Sequence, residues 1–210
     1  MKKSHYFFAT ISILMGILTL FTSASHPHNL QTKNLNTEKQ IDFKQKQILW
    51  ADSVLATMSL EQKIGQLFMI SAFTNRNETD YKRVEEQIKK YHLGGLIFFQ
   101  GNPLKQAELT NRYQNAASTP LLIGIDGEWG LGMRLDDAFS FPKAITLGAT
   151  ADPELIEKMS FEIGKQCKRL GIHINFAPDA DINSNPKNPV INFRSFGESV
   201  SNVTNLSLAY

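Results

Sequence analysis

The apolar positions of this chain fall into blocks that alternate between helical and extended spacing. Trp50, Val54, Leu55 and Met58 recur as on one face of a helix, and Ser59 with Gln62 has the form of a capping box that opens a second helix over residues 60–66. Residues 67–73 read as a strand. Thr79 or Asp80 is placed to cap a helix through Tyr91 that turns Val84 and Ile88 inward, and the pair Gly94 and Gly95 stops it. Residues 96–99 form the next expected strand, and Pro103 opens a helix to about Ala117 at a first-turn position that proline tolerates. Pro120 then introduces the run Leu-Leu-Ile-Gly-Ile at 121–125. Beyond it come a short apolar run at 144–147, a helix from Asp152 and Pro153 to near Gly171, a strand at 172–176 and an extended stretch at 190–193. Ser199 begins a last helix, still running at Tyr210.

The run 121–125 has no polar alternation, which is the pattern of a strand covered on both faces in a parallel sheet flanked by helices. Repeated strand and helix units point to an α/β fold with such a sheet, either a barrel or a doubly wound sheet. Ligands bind those folds beyond the carboxyl ends of the strands. Asp126 stands at that end, Gly127 and Gly130 let the backbone turn, and Trp129 offers an apolar face of the kind on which rings and sugars stack. Two plainer readings stay open on spacing alone: Asp126 as a cap, and Glu128 with Arg134 as a solvated ion pair.

The amino terminus changes the picture of where the protein works. Lys2 and Lys3 precede an apolar core over residues 7–21 and then Thr22, Ser23, Ala24 and Ser25, the three-part form of a secretory signal peptide cleaved near Ala24. A secreted or periplasmic location follows, with no stable membrane span after cleavage, since the apolar core is short for a bilayer. The expected organisation is a signal peptide at 1–24, a flexible polar leader at 25–47 and a folded portion at 48–210. Cys167 is the single cysteine, so no internal disulfide forms, and its helical context suits a buried structural thiol.

Charge and motifs exclude several classes of function. A net charge of +2 and the lack of basic blocks interleaved with aromatics argue against a nucleic-acid partner. Asp179, Asp181, Asn183 and Asn185 alternate like a calcium loop but lack its glycine and closing glutamate, so no metal is expected. The segment Asp126 to Gly132 lacks the lysine of a phosphate loop, and no cofactor is expected. What remains is polar chemistry in three loops at strand ends, 126–134, 179–188 and 192–197, whose convergence would gather acids with Arg134 and Arg194. Arginine suits such a pocket because its planar fork aims several donors at hydroxyl or carbonyl oxygens. A pair of Arg194 with Glu198, one helical turn on, is the competing structural reading.

IDGEWGLGMRL, then FPKAITLGAT, then NFAPDADINSNPKNPVINFRSFGE, together resemble the N-terminal domain of glycoside hydrolase family 3. The β-N-acetylglucosaminidase branch is the nearer match, in a form with Glu-Trp-Gly-Leu-Gly that looks like the secreted enzymes of Bacteroidetes-type bacteria. The resemblance runs from about Trp50 to Tyr210. It implies a (β/α)8 barrel, of which this chain holds an amino-terminal part, and removal of a terminal N-acetylhexosamine with retention through a covalent glycosyl-enzyme. By motif position, Asp126, Arg134 and Arg194 would hold the terminal sugar, with Glu128 and Trp129 shaping the pocket. The expected partner is an N-acetylglucosamine-containing saccharide or cell-wall fragment. Many members carry Gly-Arg where this chain has Leu131 and Gly132, so that arginine's contact is missing. The family's Lys-His loop, catalytic histidine and aspartate nucleophile have no counterpart within residues 1–210, so these residues alone are expected to be inactive. A family 3 β-glucosidase and a non-catalytic carbohydrate-binding protein are the alternatives.

Overall fold

Helix α1 (Gln31–Thr57) opens the portion that the computed structural model describes, residues 31–210. The signal-peptide pattern, His26 and His28 lie outside the described residues. The chain divides after Thr57 into two units, the second covering Met58–Tyr210. The polar stretch that follows the amino-terminal pattern is helical from Gln31, and the second unit begins at Met58. The helix needs no core to form its pattern: Gln, Lys and Leu give up little rotamer freedom in a helix, and neither Gly nor Pro interrupts residues 31–57. Ile48, Leu49 and Trp50 on this helix are exposed.

In the second unit α2 (Leu60–Gly65) starts with the expected capping box of Ser59 and Gln62. Three strand–helix units follow: β1 (Met69–Phe73) with α3 (Glu78–Tyr91), β2 (Gly95–Gln100) with α4 (Pro103–Ala116), and β3 (Leu122–Ile125) with a long loop, the short α5 (Ala144–Gly148) and α6 (Pro153–Arg169). A short β4 (Ile174–Asn175), a second loop and α7 (Val200–Ala209) complete it. The strands are parallel in the order β1-β2-β3-β4, the α/β arrangement of a barrel-type domain.

The cap of α3 is Asn77, whose side chain accepts from the Asp80 amide, rather than Thr79 or Asp80. Residues 190–193 are not extended. Asn188 Oδ1 accepts from the amides of Val190 and Ile191 at 2.9 and 3.3 Å, and this local competition curls the chain into a turn and a 3-10 helix at Asn192–Arg194.

Register explains the core. Ile70, Leu96 and Ile123 form one cross-strand row and Ala72, Phe98 and Ile125 the next. These rows pack with Ile88, Leu109, Tyr113, Ile156 and Ile163 from α3, α4 and α6. The other sheet face carries Met69, Gly95 and Leu122, then Ser71, Ile97 and Gly124. A Cβ on Gly124 would come within 2.8 Å of the Phe176 ring, and one on Gly95 within 2.7 Å of the Met69 methyl, so these glycines seat both side chains on the sheet. Leu122 is 51% exposed and Phe176 49%. The run 121–125 is therefore covered on one face rather than both, because all the helices that bury it lie on the other side of the rows. Cys167 is buried, and burial pushes its thiol up from the usual range, as suits a structural thiol. Among the described residues no helix is long and apolar enough to cross a membrane.

Candidate functional site

β3 ends at Ile125, so Asp126 is the first side chain past the strand, and the loop that follows folds back over it. Gly130, at φ +87°, turns the chain into a 3-10 helix at Leu131–Met133. Gly127 has a different task. Its amide donates to Asn175 Oδ1 at 2.9 Å, while its carbonyl accepts from Asn175 Nδ2 at 3.3 Å and from the Tyr210 hydroxyl at 3.1 Å. Asn175 also donates to the Tyr210 oxygen at 3.2 Å. The residue after Asp126 is thus clamped, through its amide and its carbonyl, by β4 and by the residue that follows α7. Burial pushes the Tyr210 phenol well above its ordinary value, so it keeps the proton it donates.

The turn brings Arg134 back onto Asp126. Its Nε donates to the Asp126 carbonyl at 2.9 Å and its Nη2 to Asp126 Oδ2 at 2.5 Å, and the guanidinium lies 5.0 Å from the centre of the Phe99 ring of β2. Asp126 Oδ1 has no protein donor among the described residues, and its side chain is 27% exposed. Asp126 caps no helix: it is an oriented carboxylate with one oxygen fixed by arginine and one open.

The second pair crosses the site. Arg194 donates through Nε to both oxygens of Glu128 at 2.9 and 3.1 Å and through Nη2 to Oε1 at 2.6 Å, with Asp179 Oδ2 a further 3.3 Å from Nη2. Neither local pairing read from spacing forms: Glu128 takes Arg194 rather than Arg134, and Arg194 takes Glu128 rather than Glu198. The Glu128 side chain is only 4% exposed. A buried carboxylate costs too much unless a partner meets it, and the fork of Arg194 matches both its oxygens. That hydrogen bonding to Glu128, helped by the charges of Glu128, Asp179 and Asp126, holds the guanidinium protonated more firmly than a free arginine, against a smaller cost of burial.

Trp129 and Phe193 stand next in sequence to this pair, edge to face with centroids 6.0 Å apart. The structure therefore pairs Asp126 with Arg134 and Glu128 with Arg194, and sets Trp129 against Phe193. Sequence reasoning missed Asn175, Tyr210 and Phe99 and did not recognise Asp179 as a partner of Arg194. Asn175 alone carried a signal, a polar residue late in an apolar strand. Among the described residues no group of three or more His, Cys, Asp or Glu is placed to hold a metal.

Residues 59–210 match the family described as the glycosyl hydrolase family 3 N-terminal domain. The chain belongs to this family. Beta-hexosaminidase A of Pseudoalteromonas piscicida is 42% identical over 139 residues, covering 60% of this chain and 23% of its own length. A beta-N-acetylglucosaminidase/beta-glucosidase of Cellulomonas fimi is 28% identical over 78% of this chain and 28% of its own. The solved family 3 beta-N-acetylglucosaminidase of Paenibacillus sp. FPU-7 superposes with a TM-score of 0.64 at 36% identity, covering 73% of this chain and 30% of that one. The family 3 chain thus spans about a quarter of the length of the curated relatives it matches first.

Proposed function

We propose that this segment is the sugar-holding part of a β-N-acetylhexosaminidase that removes terminal N-acetylglucosamine from saccharides or cell-wall fragments. The observation that carries the reading is the Asp126 carboxylate, pinned through one oxygen by Arg134 and open at the other, at the carboxyl end of a parallel strand. An ionised carboxylate accepts from two vicinal sugar hydroxyls, and the charge makes each bond stronger than a neutral one. Arg194 borders the same space. Glu128 gives both its oxygens to Arg194 and lies buried, which suits an orienting counter-ion and not an attacking group. Retaining hydrolysis needs an acid and a nucleophile flanking the scissile bond. Those roles fall to the family's Lys-His loop, histidine and later aspartate, none of which occurs in residues 1–210. The relatives named for hexosaminidase activity support the substrate class.

A family 3 β-glucosidase is the second reading, favoured by the dual name of the Cellulomonas relative. Secretion is proposed from the amino-terminal pattern, and origin in a Bacteroidetes-type bacterium from the Glu-Trp-Gly-Leu-Gly motif. The test uses the complete polypeptide that carries this segment, with p-nitrophenyl N-acetyl-β-glucosaminide and p-nitrophenyl β-glucoside. The expected outcome is faster turnover of the first, and a kcat/KM lowered at least about a hundredfold in Asp126→Ala with the melting temperature nearly kept. Preference for the glucoside would favour the second reading, and an unchanged kcat/KM in Asp126→Ala would remove Asp126 from the site.

A further inference from the structure

Asp126 stands one residue beyond the end of a very short ladder. β3 and β4 pair at Gly124 with Ile174 and at Ile125 with Asn175, and the Phe176 amide then donates to the Ile125 carbonyl at 2.8 Å. A carboxylate that follows a strand end sits on a loop, where the backbone is ordinarily mobile. Here the Asn175 side chain carries the ladder further. Its carboxamide holds the Gly127 amide through Oδ1 and the Gly127 carbonyl through Nδ2, offering the acceptor and donor that a paired peptide would offer. Asp126 is therefore bracketed: Ile125 is tied to Phe176 before it, Gly127 to Asn175 after it, and its own carbonyl accepts from Arg134 Nε.

The carboxamide has one orientation that satisfies every partner. The Gly127 N–H can only donate, which assigns Oδ1 to it, and the Tyr210 hydroxyl accepts from Nδ2 at 3.2 Å while donating to the Gly127 carbonyl at 3.1 Å. A flipped amide would set donor against donor at Gly127. Tyr210 is brought there by α7, whose Val203 and Leu206 are buried and whose Ala209 carbonyl accepts from the Ser160 hydroxyl of α6 at 3.3 Å. A polar network in which each member is satisfied specifies a single geometry, whereas apolar side chains would fill the same space without fixing direction.

We propose that Asn175, with Tyr210 behind it, is a positioning residue that holds the Asp126 carboxylate where it meets the sugar. Neither side chain needs to touch the sugar, because both act through Gly127. Hydrogen bonds from sugar hydroxyls to a carboxylate weaken steeply as distance and angle depart from the optimum, so a loosened Asp126 backbone is read as lost sugar binding. The assignment rests on the hexosaminidase reading above.

The test uses the complete polypeptide, with N-acetylglucosamine as a competitive inhibitor of p-nitrophenyl N-acetyl-β-glucosaminide turnover. The inhibition constant does not depend on how much of a variant is folded. Asn175→Ala is expected to raise it about tenfold, and Tyr210→Phe, which deletes only a hydroxyl, about two- to fourfold. In an Asp126→Ala background both effects should shrink below about twofold, because the group they position is gone, and a merely structural role would not produce that non-additivity. If Asn175→Ala does not fold, Tyr210→Phe decides by the same criterion. Equal effects in both backgrounds, or no effect with Asp126 in place, overturn the positioning role and leave the hexosaminidase reading standing. An inhibition constant unmoved by Asp126→Ala, or no turnover of the N-acetylglucosaminide by the unmodified protein, overturns both.

Discussion

Asp179 and Asp181 sit two residues apart beneath Arg194, and their carboxyls are not equivalent. Asp179 pairs with Arg194, while Asp181 is hydrogen-bonded to Asp179 and repelled by it, which raises its carboxyl above the ordinary aspartate range despite the opposing pull of Arg194. A raised carboxyl means that the folded chain holds a proton the unfolded chain has already released. Stability therefore falls as pH rises from the ordinary aspartate value, about 3.9, through the raised one. Asp181→Asn removes the repulsion and should raise the melting temperature most at pH 7, with the gain fading toward pH 3 and in high salt. Thermal melts at both pH values check this, and a gain independent of pH would contradict it. Local spacing singled out acids and arginines in the loops but not their partners. Glu128 and Arg194 are separated by 66 positions, and only folding sets them within hydrogen-bond distance.

At the level of elements the joint between α5 and the segment after the second 3-10 helix decides how the two halves of the site meet. A Cβ on Gly148 would collide with the Phe196 carbonyl oxygen, a backbone contact that no side-chain adjustment relieves. Gly148→Ala should cost about 2–4 kcal/mol of unfolding free energy. Gly164 gives the opposite result within the same molecule: it lies in α6, and a methyl added there would meet nothing within 4 Å, so Gly164→Ala should gain up to about 1 kcal/mol from helix propensity. Urea unfolding of both variants checks the pair. Capping and period made most elements readable in advance: Ser59 with Gln62, Asp152 before Pro153, and Ser199 all cap the helices that follow them, and Pro103 opens its helix as expected. Residues 190–193 escaped because β-branched and aromatic side chains suggest a strand, whereas a single Asn188 carboxamide turns the backbone.

Among the described residues, one face and both edges of the sheet stand open. Leu122 and Phe176 are half exposed on that face, β1 and β4 each have a neighbour on one side only, and a groove of about 570 Å³ runs past Ile163, Cys167, Ile172, Asn175 and Tyr210. An unpaired parallel edge beside apolar surface invites association. The 210-residue chain by itself should bind a hydrophobic dye such as ANS, sediment as more than a monomer, and release no p-nitrophenol from the N-acetylglucosaminide. A dye-free, catalytically active monomer would overturn that expectation. The order of strands and helices from β1 to α4, the parallel α/β class and the polar loops at strand ends were legible in local pattern, since period, caps and turn residues act within a few positions. Which face of the run 121–125 is covered, which arginine each acid takes, and how Asn175 and Tyr210 clamp Gly127 were settled only by the tertiary structure. Those contacts join residues dozens of positions apart, and their strength depends on burial and direction that arise once the sheet has formed.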